Sequence, residues 1–152
     1  MQRTIKTATA MRKLGGSLAR VCASGSIIYL QGDLGAGKTT FVRGFLRGLG
    51  YLRKVSSPTF NLFEIYQVKD QIICHFDLYR LKHPEELAYI GIADYFTGKN
   101  ICLIEWPEYG KGFLQREDLL CKFDFLPKGG GRMVEISAIS PKGRKMVDIL
   151  DA

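Results

Sequence analysis

The chain has 152 residues, 46% of them apolar, which fits a folded globular domain with a real core and excludes a disordered one. No apolar run approaches the roughly 20 residues that span a bilayer, and Met1-Gln2-Arg3-Thr4-Ile5-Lys6 lacks the apolar core of a secretory leader, so we expect a cytoplasmic protein without membrane association. The net charge of +7 is lopsided: residues 1–60 carry ten Lys/Arg against one acid, Asp33, which suits either an anionic partner or plain solvated helix faces.

In chain order, Thr9 is a candidate cap for a helix with Met11, Leu14, Leu18 and Val21 at helical spacing, closed by Ser24-Gly25. Ser26-Ile27-Ile28-Tyr29-Leu30 reads as a buried strand. Gly32-Asp33-Leu34-Gly35-Ala36-Gly37-Lys38-Thr39 follows at once, and then a helix from Thr39 to Leu49 that Gly50 stops. A glycine-rich octapeptide between strand and helix is the context in which a phosphate-binding loop works. The glycines let backbone N–H groups turn toward phosphate oxygens, and the helix N-terminus adds partial positive charge. Lys38 is expected on the β- and γ-phosphates, and the Thr39 hydroxyl on Mg²⁺. Gly35, Ala36, Gly37 and Thr40 complete the expected nucleotide contacts.

Beyond a polar loop ending in Ser56-Ser57-Pro58-Thr59, extended segments are expected at Phe60–Val68 and Ile72–Phe76, joined by a turn at Lys69-Asp70-Gln71. Thr59 supplies a hydroxyl where phosphate-loop proteins sense the γ-phosphate. His83-Pro84-Glu85-Glu86-Leu87 opens a further helix, with Pro and acids in its first turn. Ile101-Cys102-Leu103-Ile104 is a third buried strand, Leu119–Phe125 and Met133–Ile139 are candidate antiparallel strands, and Lys128-Gly129-Gly130-Gly131-Arg132 joins them. The expected fold is therefore α/β: one P-loop NTPase domain over residues 1–152, with a mixed central sheet flanked by helices and antiparallel C-terminal strands.

Two apolar strands end in a single acid, Asp77 and Glu105, where an unpaired charge is costly. Such strand-end carboxylates hold the metal and its waters opposite a phosphate loop. Trp106, the sole tryptophan, follows Glu105 and reads equally as a core residue or as a neighbour of the nucleotide. His75 and His83 look ordinary, Arg132 is a candidate charge-neutralising arginine, and the widely spaced Cys22, Cys74, Cys102 and Cys121 read as reduced structural thiols. Absence of Asn-Lys-x-Asp and Asp-x-x-Gly disfavours a guanine-specific switch protein. A small-molecule kinase of the P-loop class and a non-hydrolysing nucleotide-binding adaptor are the alternatives.

Taken together, the octapeptide with Thr40-Phe41, Ser57-Pro58-Thr59-Phe60, His75-Phe76-Asp77-Leu78-Tyr79-Arg80-Leu81 and Glu105-Trp106-Pro107 resemble the TsaE (YjeE) family, as do Glu85-Glu86-Leu87 and Gly91-Ile92. The resemblance implies an ATPase of threonylcarbamoyladenosine formation on tRNA, beside the anticodon. It also implies ATP and Mg²⁺ as cofactors, weak activity alone, and action on a TsaB–TsaD complex, with tRNA met directly or through that complex. By matched motif it assigns phosphate and Mg²⁺ to Lys38 and Thr39, the switch to Thr59, metal and water to Asp77 and Glu105, and proximity to the nucleotide to Trp106. It further places Lys6 to Thr9, including Thr7, near the adenine.

Overall fold

The computed structural model describes residues 1–56, 58 and 61–152. Thr59, with Ser57 and Phe60 of the expected switch tetrapeptide, lies outside the described residues. Among the described residues, seven strands form one mixed sheet: β1 (Gln2–Ile5), β2 (Ile27–Gly32), β3 (Phe63–Val68), β4 (Gln71–Asp77), β5 (Ile101–Glu105), β6 (Leu119–Phe125) and β7 (Arg132–Ala138). Their spatial order is β1-β7-β6-β2-β5-β4-β3. Strand β2 pairs in parallel with both β5 and β6, and β5 with β4, while β3, β7 and β1 extend the sheet antiparallel at its two sides.

The parallel centre is buried on both faces, which is why β2 and β5 read as continuous apolar runs rather than alternating ones. One face is covered by α1 (Ala8–Val21), α2 (Lys38–Leu49) and α4 (Pro141–Leu150), whose Leu18, Phe41, Phe45 and Met146 pack with Ile28, Leu30, Ile73 and Leu103. The other face packs Cys74, Phe76, Cys102 and Ile104 under Leu87 of the short α3 (Glu86–Tyr89) and Ile92. All four cysteines are free thiols, three of them buried.

Helices α1 and α2 cross backbone to backbone. A Cβ built on Gly44 would collide with the Arg12 carbonyl, and one on Gly48 would sit 2.7 Å from the Gly16 Cα. Glycine at both positions lets the helix that Thr7 caps and that carries Met11 approach the helix that opens with Lys38.

Several local expectations change. The first helix is capped by Thr7, not Thr9: the Thr7 hydroxyl accepts from the Ala10 N–H at 3.0 Å, whereas Thr9 lies inside the first turn and accepts from Arg12. Strand β1 and helix α4 were not anticipated. Strand β1 buries only Ile5 among its four residues, and α4 starts with Pro141 and Gly143 behind a Ser140 cap. The expected helix after His83 is four residues long and followed by a 3₁₀ turn at Ile92–Tyr95. Strand β3 begins at Phe63, past bends at Asn61 and Leu62, while Phe60 lies outside the described residues.

Candidate functional site

The carboxyl ends of the parallel strands β2, β4 and β5 lie side by side, the place where open α/β sheets bind ligands. Register aligns Leu30 with Glu105 and Glu105 with Asp77, so the end of β2 and the two strand-end acids reach the same edge. From β2 the chain turns through the glycine loop, with Gly35 at φ +77° and Gly37 at φ +106°, conformations that a side chain strains. Gly37 is also the N-cap of α2 and no side chain among the described residues caps it, which suits the start of that helix to an anion.

Lys38 is buried beneath this turn. Its ammonium donates to the Gly32 carbonyl and lies 3.8 Å from the centre of the Trp106 ring. Burial lowers its pKa below the ordinary lysine range, opposed by the negative charges of Glu105 and Asp77. The Thr39 hydroxyl is 3.2 and 3.4 Å from the two Glu105 oxygens.

Glu105 is itself 2% exposed, an expensive place for a carboxylate. Its Oε2 accepts from His75 Nε2 at 2.6 Å. His75, which sequence reasoning passed over as ordinary, is therefore part of the site. Only strand register could have found it: His75 precedes Asp77 by two residues on β4, on the same face, beside the strand carrying Glu105. Asp77 accepts from the Tyr79 N–H at 3.1 Å, and burial, then the neighbouring Glu105, pushes its carboxyl above the usual range.

Trp106 adopts φ +56°, a left-handed conformation unusual for a large side chain. The ring lies between Tyr79, at 5.0 Å, and Tyr109, stacked at 5.3 Å. Its two sequence readings thus merge, since one face of this small aromatic cluster touches Lys38. Tyr79 was not singled out from the sequence, although it belongs to the same motif as Asp77.

Two clefts flank the loop. One, of about 230 Å³, is lined by Lys38, Thr39, Asp77, Tyr79, Glu105 and Trp106. The other, of about 180 Å³, lies between Ile5, Lys6, Thr7, Met11, Gly131 and Arg132. Both are walled by Gly35, Gly37 and Thr40, so they run from opposite sides of the same turn. Ala36 is buried within it, its N–H bonded to the Asp33 carbonyl at 3.1 Å. Arg132 donates to the Gly35 carbonyl at 3.1 Å and stacks on Phe125, 4.3 Å from the ring centre. It belongs to the second cleft, with Thr7, and does not line the one that holds the acids. Antiparallel pairing of β1 with β7 brings this about by setting Ile5 opposite Arg132.

The model of the family described as threonylcarbamoyl adenosine biosynthesis protein TsaE matches residues 5–132, from β1 to the start of β7. The chain belongs to the TsaE family. It is 47% identical over 121 residues, 80% of this chain and 75% of the relative, to the tRNA threonylcarbamoyladenosine biosynthesis protein TsaE of Haemophilus influenzae. The TsaE protein of the same description from Bacillus subtilis is 40% identical over 110 residues, 72% of this chain and 66% of that one. A crystal structure of Bacillus subtilis YdiB superposes with a TM-score of 0.85 at 26% identity, covering 99% of this chain and 93% of that one. The TsaE match takes in every residue of both clefts, whereas α4 lies beyond it.

Proposed function

We propose that the chain binds ATP with Mg²⁺ across the glycine loop and hydrolyses it in support of threonylcarbamoyladenosine formation on tRNA. The observation that carries this reading is the meeting, at one sheet edge, of the uncapped start of α2, Lys38, the Thr39 hydroxyl and the acids Asp77 and Glu105. The relatives' names supply the pathway.

The donor set suits the metal: one hydroxyl and two carboxylates are hard oxygen ligands, and Mg²⁺ takes few protein ligands beside phosphates and water. Bound there, it would neutralise phosphate charge. The chain's own work is distinct. Amides at the start of α2 cradle phosphate oxygens, and the Lys38 ammonium leaves the Gly32 carbonyl and the Trp106 face to meet them. Asp77 and Glu105 accept hydrogen bonds from an attacking water and hold it in line, and the raised pKa of Asp77 equips that carboxylate to take the proton. In the second cleft, Ile5 and Met11 offer apolar contact to the base, and Lys6, Thr7 and Arg132 offer polar groups around the sugar. The relatives' names, which place them in tRNA modification, support a cycle run in the cytoplasm and stimulated by a TsaB–TsaD complex.

Direct contact with tRNA would fall on the outer faces of α1 and α2. There the Arg12, Arg20, Arg43 and Arg47 guanidinium groups are hydrogen-bonded to the neutral acceptors Thr9, Ser17, Val55 and Tyr51. The test of the main reading is ATP turnover measured with Mg²⁺, alone and with purified TsaB–TsaD. Stimulation by the complex is expected, and lost in Lys38→Ala. Turnover that ignores the complex and rises only with a small-molecule phosphate acceptor would overturn it in favour of a kinase.

A further inference from the structure

We propose that His75 is a positioning residue whose task is to hold Glu105 in the rotamer that serves the metal and the water. The inference rests on the ATP and Mg²⁺ reading given above. His75 is fully buried on β4, between the apolar Ile73 and the acid Asp77 on one sheet face, with Leu103 opposite it on β5. Its Nε2–H donates to Glu105 Oε2 at 2.6 Å, while its Nδ1 is buried with no partner among the described residues.

That arrangement is costly for an imidazole placed only to fill space. A buried nitrogen without a hydrogen bond is destabilising, and a leucine would occupy the position without that penalty. Among the described residues, the one hydrogen bond of the His75 side chain is to Glu105. A glutamate side chain has many rotamers, and a fixed donor at one oxygen selects among them. With Oε2 held from beneath by His75, the carboxylate stays against the Thr39 hydroxyl at 3.2 Å and at the mouth of the cleft. Groups behind a metal-binding carboxylate act in this way, and their loss lowers metal affinity by about 10–100-fold.

The experiment compares His75→Leu, His75→Gln and His75→Asn with the wild-type chain. Gln sets an amide N–H as many bonds from Cβ as the imidazole Nε2. Asn is one bond shorter and falls short of Glu105. Calorimetric ATP binding is measured across a Mg²⁺ series and without Mg²⁺, together with the thermal unfolding midpoint. His75→Leu and His75→Asn should raise the Mg²⁺ concentration for half-maximal ATP affinity by about tenfold or more. Mg²⁺-free ATP affinity should stay within about twofold, and His75→Gln should recover most of the loss. A purely structural histidine would instead shift unfolding and leave the Mg²⁺ dependence alone.

Wild-type Mg²⁺ dependence in the Leu and Asn variants overturns the proposal, as does a Gln variant as impaired as Leu. If His75→Leu does not fold, the Asn and Gln pair decides the matter on the same criterion. A wild-type chain whose ATP affinity ignores Mg²⁺ overturns the metal reading itself, and the proposal with it.

Discussion

Replacing Gly44 by alanine tests whether the glycine crossing of α1 and α2 holds the two clefts in register. Alanine gains about 0.8–1.0 kcal/mol in helix propensity over glycine, so an uncrowded site would be stabilised. Here the added methyl would meet the Arg12 carbonyl oxygen and lie 2.5 and 2.6 Å from its Cα and carbonyl carbon. Both separations are below the 3.0 Å that Cβ atoms respect, and the obstacle is backbone, so α1 as a whole must move away. Overpacking costs about 1–3 kcal/mol and more when the neighbours are rigid, which leaves a net loss of about 2 kcal/mol. For a chain of this size that is a fall of about 4–8 °C in the thermal midpoint. Because α1 carries Met11 and follows Thr7, while α2 carries Lys38 and Thr39, ATP affinity should fall with it. Thermal unfolding by circular dichroism and ATP titration by calorimetry check both. Gly50→Ala is the control: its added methyl meets nothing within 4 Å among the described residues, so it brings left-handed strain and should leave ATP affinity unchanged. A Gly44→Ala chain with an unchanged or higher midpoint would refute the packing argument.

Other consequences are equally direct. Asp77→Asn should raise the thermal midpoint of the metal-free protein at neutral pH, since burial and Glu105 both disfavour the charge there, and should abolish stabilisation by Mg²⁺ with ATP. A lower metal-free midpoint would contradict this. Thr7→Ala should cost about 1 kcal/mol through the lost cap, visible in thermal unfolding, while Thr7→Asn should keep most of it. ATP should change the emission of Trp106, the single tryptophan, because phosphate draws the Lys38 ammonium from its ring face. Unaltered emission at saturating ATP would show that Lys38 stays where it is.

Much of the fold was legible because its signals are local. The octapeptide carries its own strand and helix, and Ile101-Cys102-Leu103-Ile104 is apolar throughout because β5 is buried on both faces. Strand β1 escaped because an edge strand that buries only Ile5 has almost no pattern. With it went the reason Arg132 lies beside Thr7, since that depends on β1 pairing with β7. Thr9 reads as the cap from its place before Met11, and only the hydrogen bond to Ala10 shows that Thr7 fills that role. Asp77 and Glu105 announced themselves as acids ending apolar strands, but the histidine behind them did not. A histidine inside an apolar strand becomes informative once parallel register sets it next to a strand that ends in a buried glutamate.

In the proposed function, ATP turnover on this loop serves repeated rounds of tRNA modification. Its most direct test is threonylcarbamoyladenosine formation reconstituted over several turnovers, with the wild-type chain, with Lys38→Ala, and with the chain omitted. We expect product to continue past the first round only with the wild-type chain. Product that accumulates equally in all three would contradict the claim.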